Sequence, residues 1–395
     1  MQLQKETFWL VQVRTGIYNI PRLDFGGGYV DYPASRREKL GFQITEAGLE
    51  ALIVSSSTNV TYLTGFTGDS SWLIASPSRS ILVSDGRFTQ QIAEECPNLE
   101  THIRDTQKTI QQTVGELLAR LGFRNVGIEA EHMTIAGFET LRGMATAVNW
   151  APKSRIVESL RMIKDESEQQ AIREAVRIAE KAWADFRMKM APDQTEKELS
   201  DAMENFVRQN GAISTTFPTI VAVGDRSALP HAPPSERRVR DGDFLLLDWG
   251  ACGHLYRSDL TRMIVTRAAS GTVEKRFEKL YTVVLQAQLK AIEAVRPGTK
   301  AADVDVVVRS HLEAEGLNQY FNHGLGHGIG LQTHEGPNVR LSSQDVLQPG
   351  MVFTIEPGIY LPGWGGIRIE DDVLVTPDGC EVLSSVPKDL ASVLG

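Results

Sequence analysis

The chain has 395 residues, of which 42% are hydrophobic and 23% are charged. These proportions are those of ordinary globular proteins, so they exclude a collagen-like, coiled-coil or intrinsically disordered chain. Lysine and arginine number 41 against 50 acidic residues, and the formal net charge of −9 argues against a nucleic-acid-binding protein with a basic surface. At roughly 150 residues per domain, the length predicts two or three domains.

Cysteine usage and apolar runs indicate the compartment. Cys96, Cys252 and Cys380 are far apart in the chain, and none belongs to a C-x-x-C pair. A disulfide framework or a thiolate zinc site is therefore not expected, and a reducing compartment fits best. The N-terminal residues lack the apolar core of a signal peptide, and no stretch approaches the length of a membrane span. We expect a cytoplasmic protein that does not bind membranes.

The first part of the chain divides into an irregular extension and a small domain. Residues 1–35 have no periodic pattern and are interrupted by Pro33 and a run of glycines, so we expect a poorly ordered extension. From residue 36 onward, helical and strand-like segments alternate, which predicts a small α/β domain over residues 36–158. The predicted helices are 36–47 and 110–121, and the predicted strands are 52–54, 72–75, 80–84 and 125–129.

Residues 159–395 are predicted to form a second domain of the α+β class. A long helix begins near Ser167, because apolar residues then recur at steps of three and four. Pro192 ends this helix, and Thr195 opens the next one, with a glutamate three residues later in a capping-box pattern. Further helices are predicted at 273–295 and 302–315, and strands at 244–248, 260–265, 351–355 and 366–376.

Five residues of this domain have the side chains of a metal site: Asp248, Asp259, His327, Glu356 and Glu370. Asp248 and Glu356 each end an apolar run, where a buried carboxylate is costly unless it is paired or bound to a metal. Each alone is better explained as a cap or a structural ion pair. Four carboxylates and one imidazole on neighbouring strands, however, form an oxygen-rich set that suits manganese, iron or cobalt. Two bridging carboxylates can hold two ions about 3.5–4 Å apart and lower the pKa of a shared water towards neutrality.

Histidines near these residues are candidates for proton exchange near pH 7. His231 lies in a proline-flanked loop, and His323, His327 and His334 lie close together in the sequence. Two other catalytic patterns are missing. The glycine-rich segment 324–330 does not match the G-x-G-x-x-G dinucleotide pattern, and the sequence contains no G-x-S-x-G nucleophile motif.

The motifs around these residues resemble those of the prolidase and Xaa-Pro aminopeptidase family, which belongs to the pita-bread metallopeptidases together with methionine aminopeptidase and creatinase. In the second domain the motifs are Asp248–Ala251, Ser258–Arg262, His323–Glu335, Val352–Tyr360 and Gly366–Val373. In the first domain the resemblance extends over Asn59–Phe66 and Ser84–Phe88. The resemblance implies a creatinase-like N-terminal α/β domain followed by a pita-bread α+β catalytic domain.

The resemblance also implies two divalent metal ions. Asp248 would hold one ion with both oxygens, and Asp259 and Glu370 would bridge the two ions. His327 and Glu356 would bind the second ion. Manganese is the expected metal, with cobalt, iron or zinc as alternatives.

Further residues receive catalytic and substrate-binding roles from the same resemblance. Glu356 would also transfer protons. His231 and His334 would contact the carbonyl oxygen and the proline side of the substrate. His323 would line the substrate site, and Arg368 would support both catalysis and substrate binding electrostatically.

The implied reaction is hydrolysis of the Xaa-Pro bond at the N-terminus of short proline-containing peptides by metal-bound hydroxide, in a homodimer. A prolidase restricted to Xaa-Pro dipeptides is the alternative within the family. We prefer the aminopeptidase because the first domain resembles short members of that name. Methionine aminopeptidase lacks such a first domain, and creatinase does not keep all five ligands. A hydrolase of a non-peptide amide and a non-catalytic binding module of the same fold are the remaining alternatives.

Overall fold

The computed structural model of the chain describes residues 31–240, 243–266 and 275–394. The predicted extension over 1–35 therefore lies outside the described residues, apart from its last five. Four of these five belong to the first helix, Tyr32–Glu46, which begins four residues before the predicted start. The Asp31 side chain caps this helix by accepting the N–H of Ala34 at 3.0 Å. Pro33 lies in the first turn, where its missing N–H is not needed, so it favours the helix rather than interrupting it.

The first domain is an α/β structure, as predicted. Its helices are α1 (Tyr32–Glu46), α2 (Ser57–Thr64), α3 (Thr89–Glu95), α4 (Ile110–Leu121), α5 (Ile135–Met144) and α6 (Ile156–Met162); its strands are β1 (Ala51–Val54), β2 (Trp72–Ala75), β3 (Ser80–Ser84), β4 (Glu100–Ile103), β5 (Asn125–Glu129) and β6 (Asn149–Lys153). The six strands form one mixed sheet in the order β4-β3-β2-β1-β5-β6. The four predicted strands and the helix at 110–121 are confirmed.

The alternation of side chains along the central strand separates two cores. Leu52 and Val54 point to the face covered by α1 and α2, whereas Ile53 points to the face covered by α4 and α5. The first of these cores continues into the second domain, where it includes Ile172 and Ile329. The two domains therefore share buried apolar surface.

The second domain mixes helix pairs with short antiparallel strands. Its helices are α7 (Glu166–Lys189), α8 (Glu196–Gln209), α9 (Lys275–Ala294), α10 (Ala301–Ala314) and α11 (Leu390–Val393); its strands are β7 (Ser214–Thr215), β8 (Ile220–Val223), β9 (Phe244–Trp249), β10 (Ala251–Gly253), β11 (Tyr256–Arg257), β12 (Leu260–Val265), β13 (Gly326–Gly328), β14 (Glu335–Val339), β15 (Val352–Ile355), β16 (Gly358–Leu361), β17 (Gly365–Arg368), β18 (Asp371–Val375) and β19 (Cys380–Val382). The predicted capping box at Thr195 is confirmed at the start of α8. The first two residues of the helix predicted at 273–295 lie outside the described residues.

Two sheets of this domain frame the candidate site. One has the order β12-β9-β8, and the other has the order β14-β13-β15-β18-β19. The prediction of one continuous strand over 366–376 is wrong. The chain leaves β17, which pairs with β16, and enters β18, which pairs with β15, so the strand is broken at Ile369 and Glu370. The break occurs because Glu370 pairs instead with Thr261 of β12, in an isolated bridge that joins the two sheets.

Helices cover the outer surfaces of these sheets. Trp249 of β9 is fully buried and stacks on Trp183 of α7 with ring centroids 5.0 Å apart. Its indole N–H donates to the carbonyl of Ala179 at 3.0 Å, so the polar edge of the ring is satisfied. Residues of α9 and α10 pack on the other side with residues of β15, β17 and β18. Among the described residues, no helix has both the length and the hydrophobicity that a membrane span requires.

Candidate metal centre and active site

The predicted ligands of the first sheet project from one face. Asp248 lies on β9, and Asp259 immediately precedes β12. These strands are antiparallel, and Thr261 is the residue opposite Asp248. Because residues two apart on a strand share a face, Asp259, Thr261 and Asp248 all point to the same side of the sheet.

The other three predicted ligands come from the second sheet. Glu370 occupies the break between β17 and β18, and its N–H donates to the carbonyl of Thr261 at 3.2 Å. Glu356 follows β15, and His327 lies in the adjacent strand β13. The hydroxyl of Thr354 connects these last two, because it accepts the N–H of His327 at 3.1 Å and donates to Glu356 Oε1 at 3.2 Å.

The glycine-rich segment around His327 serves close strand packing. A Cβ added at Gly326 would lie 1.9 Å from the carbonyl oxygen of Thr354, and one added at Gly328 would lie 2.0 Å from that of Gly336. Neither position has room for a side chain. The glycines therefore bring His327 close to both neighbouring strands.

The predicted ligands lie in one cluster, but the distances between their ligand atoms differ. Ligand atoms of Asp259, His327 and Glu370 all lie within 4.8 Å of one another. His327 Nε2 also lies 3.5 Å from Glu356 Oε1. Asp248 interacts with Asp259, and its Oδ2 accepts from Arg368 Nη2. Asp248 is thus beside the group of three, with one of its two oxygens shared with a guanidinium.

Burial and mutual repulsion raise the pKa of the clustered acids. Desolvation is the largest cause for Asp248, Asp259, Glu356 and Glu370, and it raises the pKa of Glu356 to about 8. For Asp259 and Glu370, the neighbouring carboxylates raise the pKa further. Arg368 contributes one positive charge against these four acids. The cluster is therefore suited to additional cations.

The tautomer of His327 gives a sharper test of metal binding. Its Nδ1 lies 3.1 Å from the carbonyl of Gly328, which can only accept, so Nδ1 carries the proton. Burial lowers the pKa of His327 to about 4, so the ring is neutral near pH 7 and Nε2 presents a lone pair. That lone pair faces Asp259 Oδ2 at 3.7 Å and Glu356 Oε1 at 3.5 Å. Within the described residues, Oδ1 of Asp248 and Oδ1 of Asp259 are buried without a hydrogen-bond partner. These converging lone pairs fit a divalent metal site.

His231 and His334 are the exposed histidines of the site. The His334 ring lies edge-on to the His327 ring, with centroids 4.3 Å apart. Partial burial lowers the pKa of His334, and the charge of His231 lowers it further. His231 follows Pro230, whose carbonyl accepts from Arg368 Nη1 at 3.2 Å. Both histidines therefore lie close to the predicted metal ligands.

His323 contacts the site through Tyr360. Its Nδ1 donates to the carbonyl of Gly324 at 2.7 Å, which leaves Nε2 to accept the Tyr360 hydroxyl at 3.0 Å. The same hydroxyl accepts from Arg368 Nη1 at 2.9 Å. Burial lowers the pKa of His323 to about 4, so it is a neutral acceptor at pH 7. A chain of hydrogen bonds thus runs from His323 through Tyr360 and Arg368 to Asp248.

Three hydroxyl-bearing residues of the site had no role in the sequence analysis: Thr261, Thr354 and Tyr360. Thr261 Oγ1 accepts from Arg368 Nε at 3.0 Å and donates to Glu370 Oε2 at 2.5 Å. Two of the three could have been found from strand periodicity, because Thr261 lies two residues after Asp259 and Thr354 lies two residues before Glu356. Tyr360 has no comparable local signal.

The chain is similar in sequence to two known domain families and to a peptidase. Residues 170–377 match the family model described as metallopeptidase family M24, and residues 36–163 match the creatinase/prolidase N-terminal domain. An Xaa-Pro dipeptidase of Pyrococcus horikoshii is 34% identical over 349 residues, which are 87% of this chain and 94% of that protein.

Two solved structures are similar over nearly their whole length. An Xaa-Pro dipeptidase from Bacillus anthracis is 35% identical with a TM-score of 0.86, over 91% of this chain and 99% of that one. An X-Pro aminopeptidase from Thermotoga maritima is 32% identical with a TM-score of 0.81, over 87% of this chain and 97% of that one. These matches confirm the predicted family resemblance and the predicted fold, a creatinase-type α/β domain followed by a pita-bread α+β domain. The chain is a peptidase of metallopeptidase family M24, a family that uses divalent metal ions.

Proposed function

We propose that this peptidase is an exopeptidase that hydrolyses the bond between a first residue and a following proline, with two divalent metal ions. The observation that carries the proposal is the environment of His327 Nε2. Its lone pair faces carboxylate oxygens of Asp259 and Glu356, an arrangement that is favourable with a cation between them. The substrate class is supported by the relatives, whose names are Xaa-Pro dipeptidase and X-Pro aminopeptidase.

The five clustered residues would hold the ions. Asp248 would bind on one side, His327 and Glu356 on the other, and Asp259 and Glu370 between them. We propose manganese as the metal, with cobalt, iron or zinc as alternatives, because oxygen ligands dominate the set. When bound, the ions supply Lewis acidity and lower the pKa of a coordinated water towards neutrality.

Glu356 is the proposed proton carrier. Without metal, burial raises its pKa to about 8, whereas a bound cation favours its ionised form. The two effects act on its pKa in opposite directions, and a carboxyl group of this kind is suited to accept and release a proton. It would accept the proton of the attacking water and deliver it to the nitrogen of the proline.

The histidines and Arg368 would orient the substrate and the ligands. His334 and His231 are exposed beside the ligands, where their N–H groups can donate to the carbonyl oxygen and the proline side of a peptide. Arg368 would fix Asp248 through its hydrogen bond to Oδ2. His323 would act on the substrate site through Tyr360.

The permitted peptide length separates two versions of this function. The aminopeptidase version accepts peptides that continue beyond proline, and the dipeptidase version accepts Xaa-Pro alone. The resemblance of the first domain to short aminopeptidases favours the first version, whereas the relatives named Xaa-Pro dipeptidase support the second at least as well. One experiment distinguishes the two versions by the length of the peptide that is cleaved.

We further propose that the protein acts in the cytoplasm as a homodimer, on short proline-containing peptides and not on nucleic acids or membranes. Its net charge of −9 would repel a nucleic acid. Its three cysteines are free thiols, two of them buried, which fits a reducing compartment.

The test compares three peptides under metal control. The protein is stripped with a chelator, manganese is restored, and Ala-Pro, Ala-Pro-Ala and Ala-Ala-Ala are offered separately. Release of alanine from Ala-Pro-Ala, only with manganese and with Ala-Ala-Ala spared, supports the aminopeptidase. Cleavage of Ala-Pro alone supports the dipeptidase. If manganese binds and no peptide is cut, the proposal fails.

A further inference from the structure

A buried ion cluster includes Glu335, the residue that follows His334 in the chain. It consists of Arg161, Lys164 and Glu335, and we call it the Glu335 cluster. Arg161 Nη2 lies 2.5 Å from Glu335 Oε2, and Lys164 Nζ lies 3.0 Å from Glu335 Oε1. The three side chains are 2%, 0% and 5% exposed, respectively. A buried ion pair contributes little net stability compared with apolar packing, so its specific geometry is the more informative feature.

Arg161 joins three parts of the molecule. It lies on α6, at the end of the first domain. Its Nη1 donates to Asn59 Oδ1 on α2 at 2.8 Å, and its Nη2 donates to Gln332 Oε1 in the segment before His334 at 2.8 Å. Asn59 is itself fully buried and donates to Glu129 at 2.6 Å. One guanidinium therefore connects the first domain to the His334 segment.

The segment 329–335 is held tightly around the Glu335 carboxylate. The N–H of Gln332 donates to Glu335 Oε2 at 3.2 Å. A Cβ added at Gly330 would lie 2.5 Å from Glu335 Oε1, so the backbone itself packs on the carboxylate. Arg257 adds a contact from β11, since its side chain donates to the carbonyl of Leu331. The contacts of Glu335 thus hold the segment that contains His334.

We infer that Arg161 is a positioning residue: through Glu335 it fixes the imidazole of His334 beside the metal ligands, and it makes that geometry depend on the first domain. The inference rests on the proposed function, because the task of His334 is to contact the substrate. It predicts that loss of Arg161 lowers turnover without removing any metal ligand. Displacement of a catalytic group by about 1 Å can reduce turnover about 100-fold.

The experiment measures kcat and KM of Arg161→Met on the Xaa-Pro peptide that the wild type cleaves. We expect kcat to fall about 10- to 100-fold, as for other residues that orient a site from behind. Manganese binding by calorimetry should stay at the wild-type value, and amides of 329–335 should exchange faster with deuterium. In a His334→Ala background, Arg161→Met should cause no further loss, because its effect passes through that imidazole.

Arg36→Met is the matched control. Arg36 is also a buried arginine that links the first domain to the second, through Asp165 at 2.7 Å. Its hydrogen bonds within the described residues go to Asp165, Tyr62 and Ser167 and not to the segment 329–335. Arg36→Met should leave kcat and the amide hydrogen–deuterium exchange of the segment 329–335 close to the wild-type values. The inference would be overturned if Arg161→Met and Arg36→Met lowered kcat equally. It would also be overturned if Arg161→Met lowered kcat as much in the His334→Ala background as in the wild type.

Two further comparisons keep the outcomes distinct. If Arg161→Met does not fold, Arg161→Lys carries the test. It keeps a positive charge facing Glu335 but cannot also reach Asn59, and it should show the same changes at smaller size. If the wild type cleaves no peptide, the proposed function fails, whereas the exchange comparison with Arg36→Met still decides whether Arg161 positions the segment.

Discussion

Substitution of Thr261 by valine tests a residue that supports the proposed metal ligands without being one of them. Thr261 is fully buried, and its hydroxyl accepts from Arg368 Nε and donates to Glu370 Oε2. The direction of both bonds is determined, because a guanidinium can only donate and the hydroxyl has one proton left for the carboxylate. Valine has nearly the same shape, so the change removes both bonds and retains the packing.

The magnitude follows from two independent estimates. A hydrogen bond to a charged group contributes about 1.5–3 kcal/mol. Loss of an orienting partner behind a metal ligand costs about 10- to 100-fold in metal affinity, which corresponds to about 1.4–2.8 kcal/mol. The second figure refers directly to metal affinity, so we expect Thr261→Val to bind manganese about 10- to 100-fold more weakly than the wild type.

Calorimetric titration of the metal-free proteins with manganese measures this difference. Thr219→Val is the matched control, because Thr219 is also a fully buried threonine but its hydroxyl has no hydrogen-bond partner in the part of the chain that the structure describes. We expect the control to bind manganese like the wild type and to be at least as stable. Wild-type manganese affinity in Thr261→Val would refute the view that this hydroxyl holds Glu370 in place.

Three more outcomes are expected. Asp259→Asn should abolish peptidase activity, yet its metal-free form should melt no lower than the wild type by circular dichroism, because one of several mutually repelling acids is removed. Burial raises the pKa of Glu168 from 4.5 to about 7 despite Arg36, so the folded state retains a proton that the unfolded state loses, and stability falls as pH rises across that window. In urea unfolding, the free energy of unfolding of Glu168→Gln should therefore rise relative to that of the wild type between pH 5 and pH 8, by up to about 3 kcal/mol. A difference between the two proteins that does not change with pH would contradict this. Glu196, fully buried, accepts from Arg226 and from the N–H groups of Val223 and Ser235, so Glu196→Ala should lower the free energy of unfolding by about 3–5 kcal/mol in urea at pH 7.

Two of the five predicted metal ligands stand out in the sequence, because their positions are locally anomalous. Asp248 is the next-to-last residue of the apolar strand β9, and Glu356 follows the apolar strand β15. A carboxylate in such a position is costly, and the cost itself is the signal. The start of α8 was predictable for a related reason, since the capping box at Thr195 is a pattern within four residues.

The break at Glu370 was not predictable, because local periodicity continues through it. Ile367 and Ile369 keep the alternation of a strand on both sides of Arg368, so a single strand is the natural expectation. What breaks the strand is the bridge from Glu370 to Thr261, more than a hundred residues earlier in the chain. A contact at that separation leaves no trace in a window of ten residues.

The residues that support the proposed ligands were also not predictable from sequence. Thr261 on a strand and Arg161 on a helix are ordinary residues in ordinary places, and their importance comes only from distant partners, Glu370 and Glu335. Carboxylates that are costly to bury can be suspected from sequence when several occur together, whereas the groups that offset this cost can be recognised only from contacts in the folded structure. It follows that variants of the ligands test the chemistry that sequence already suggested. Variants of Thr261 and Arg161 test what the folded structure alone reveals.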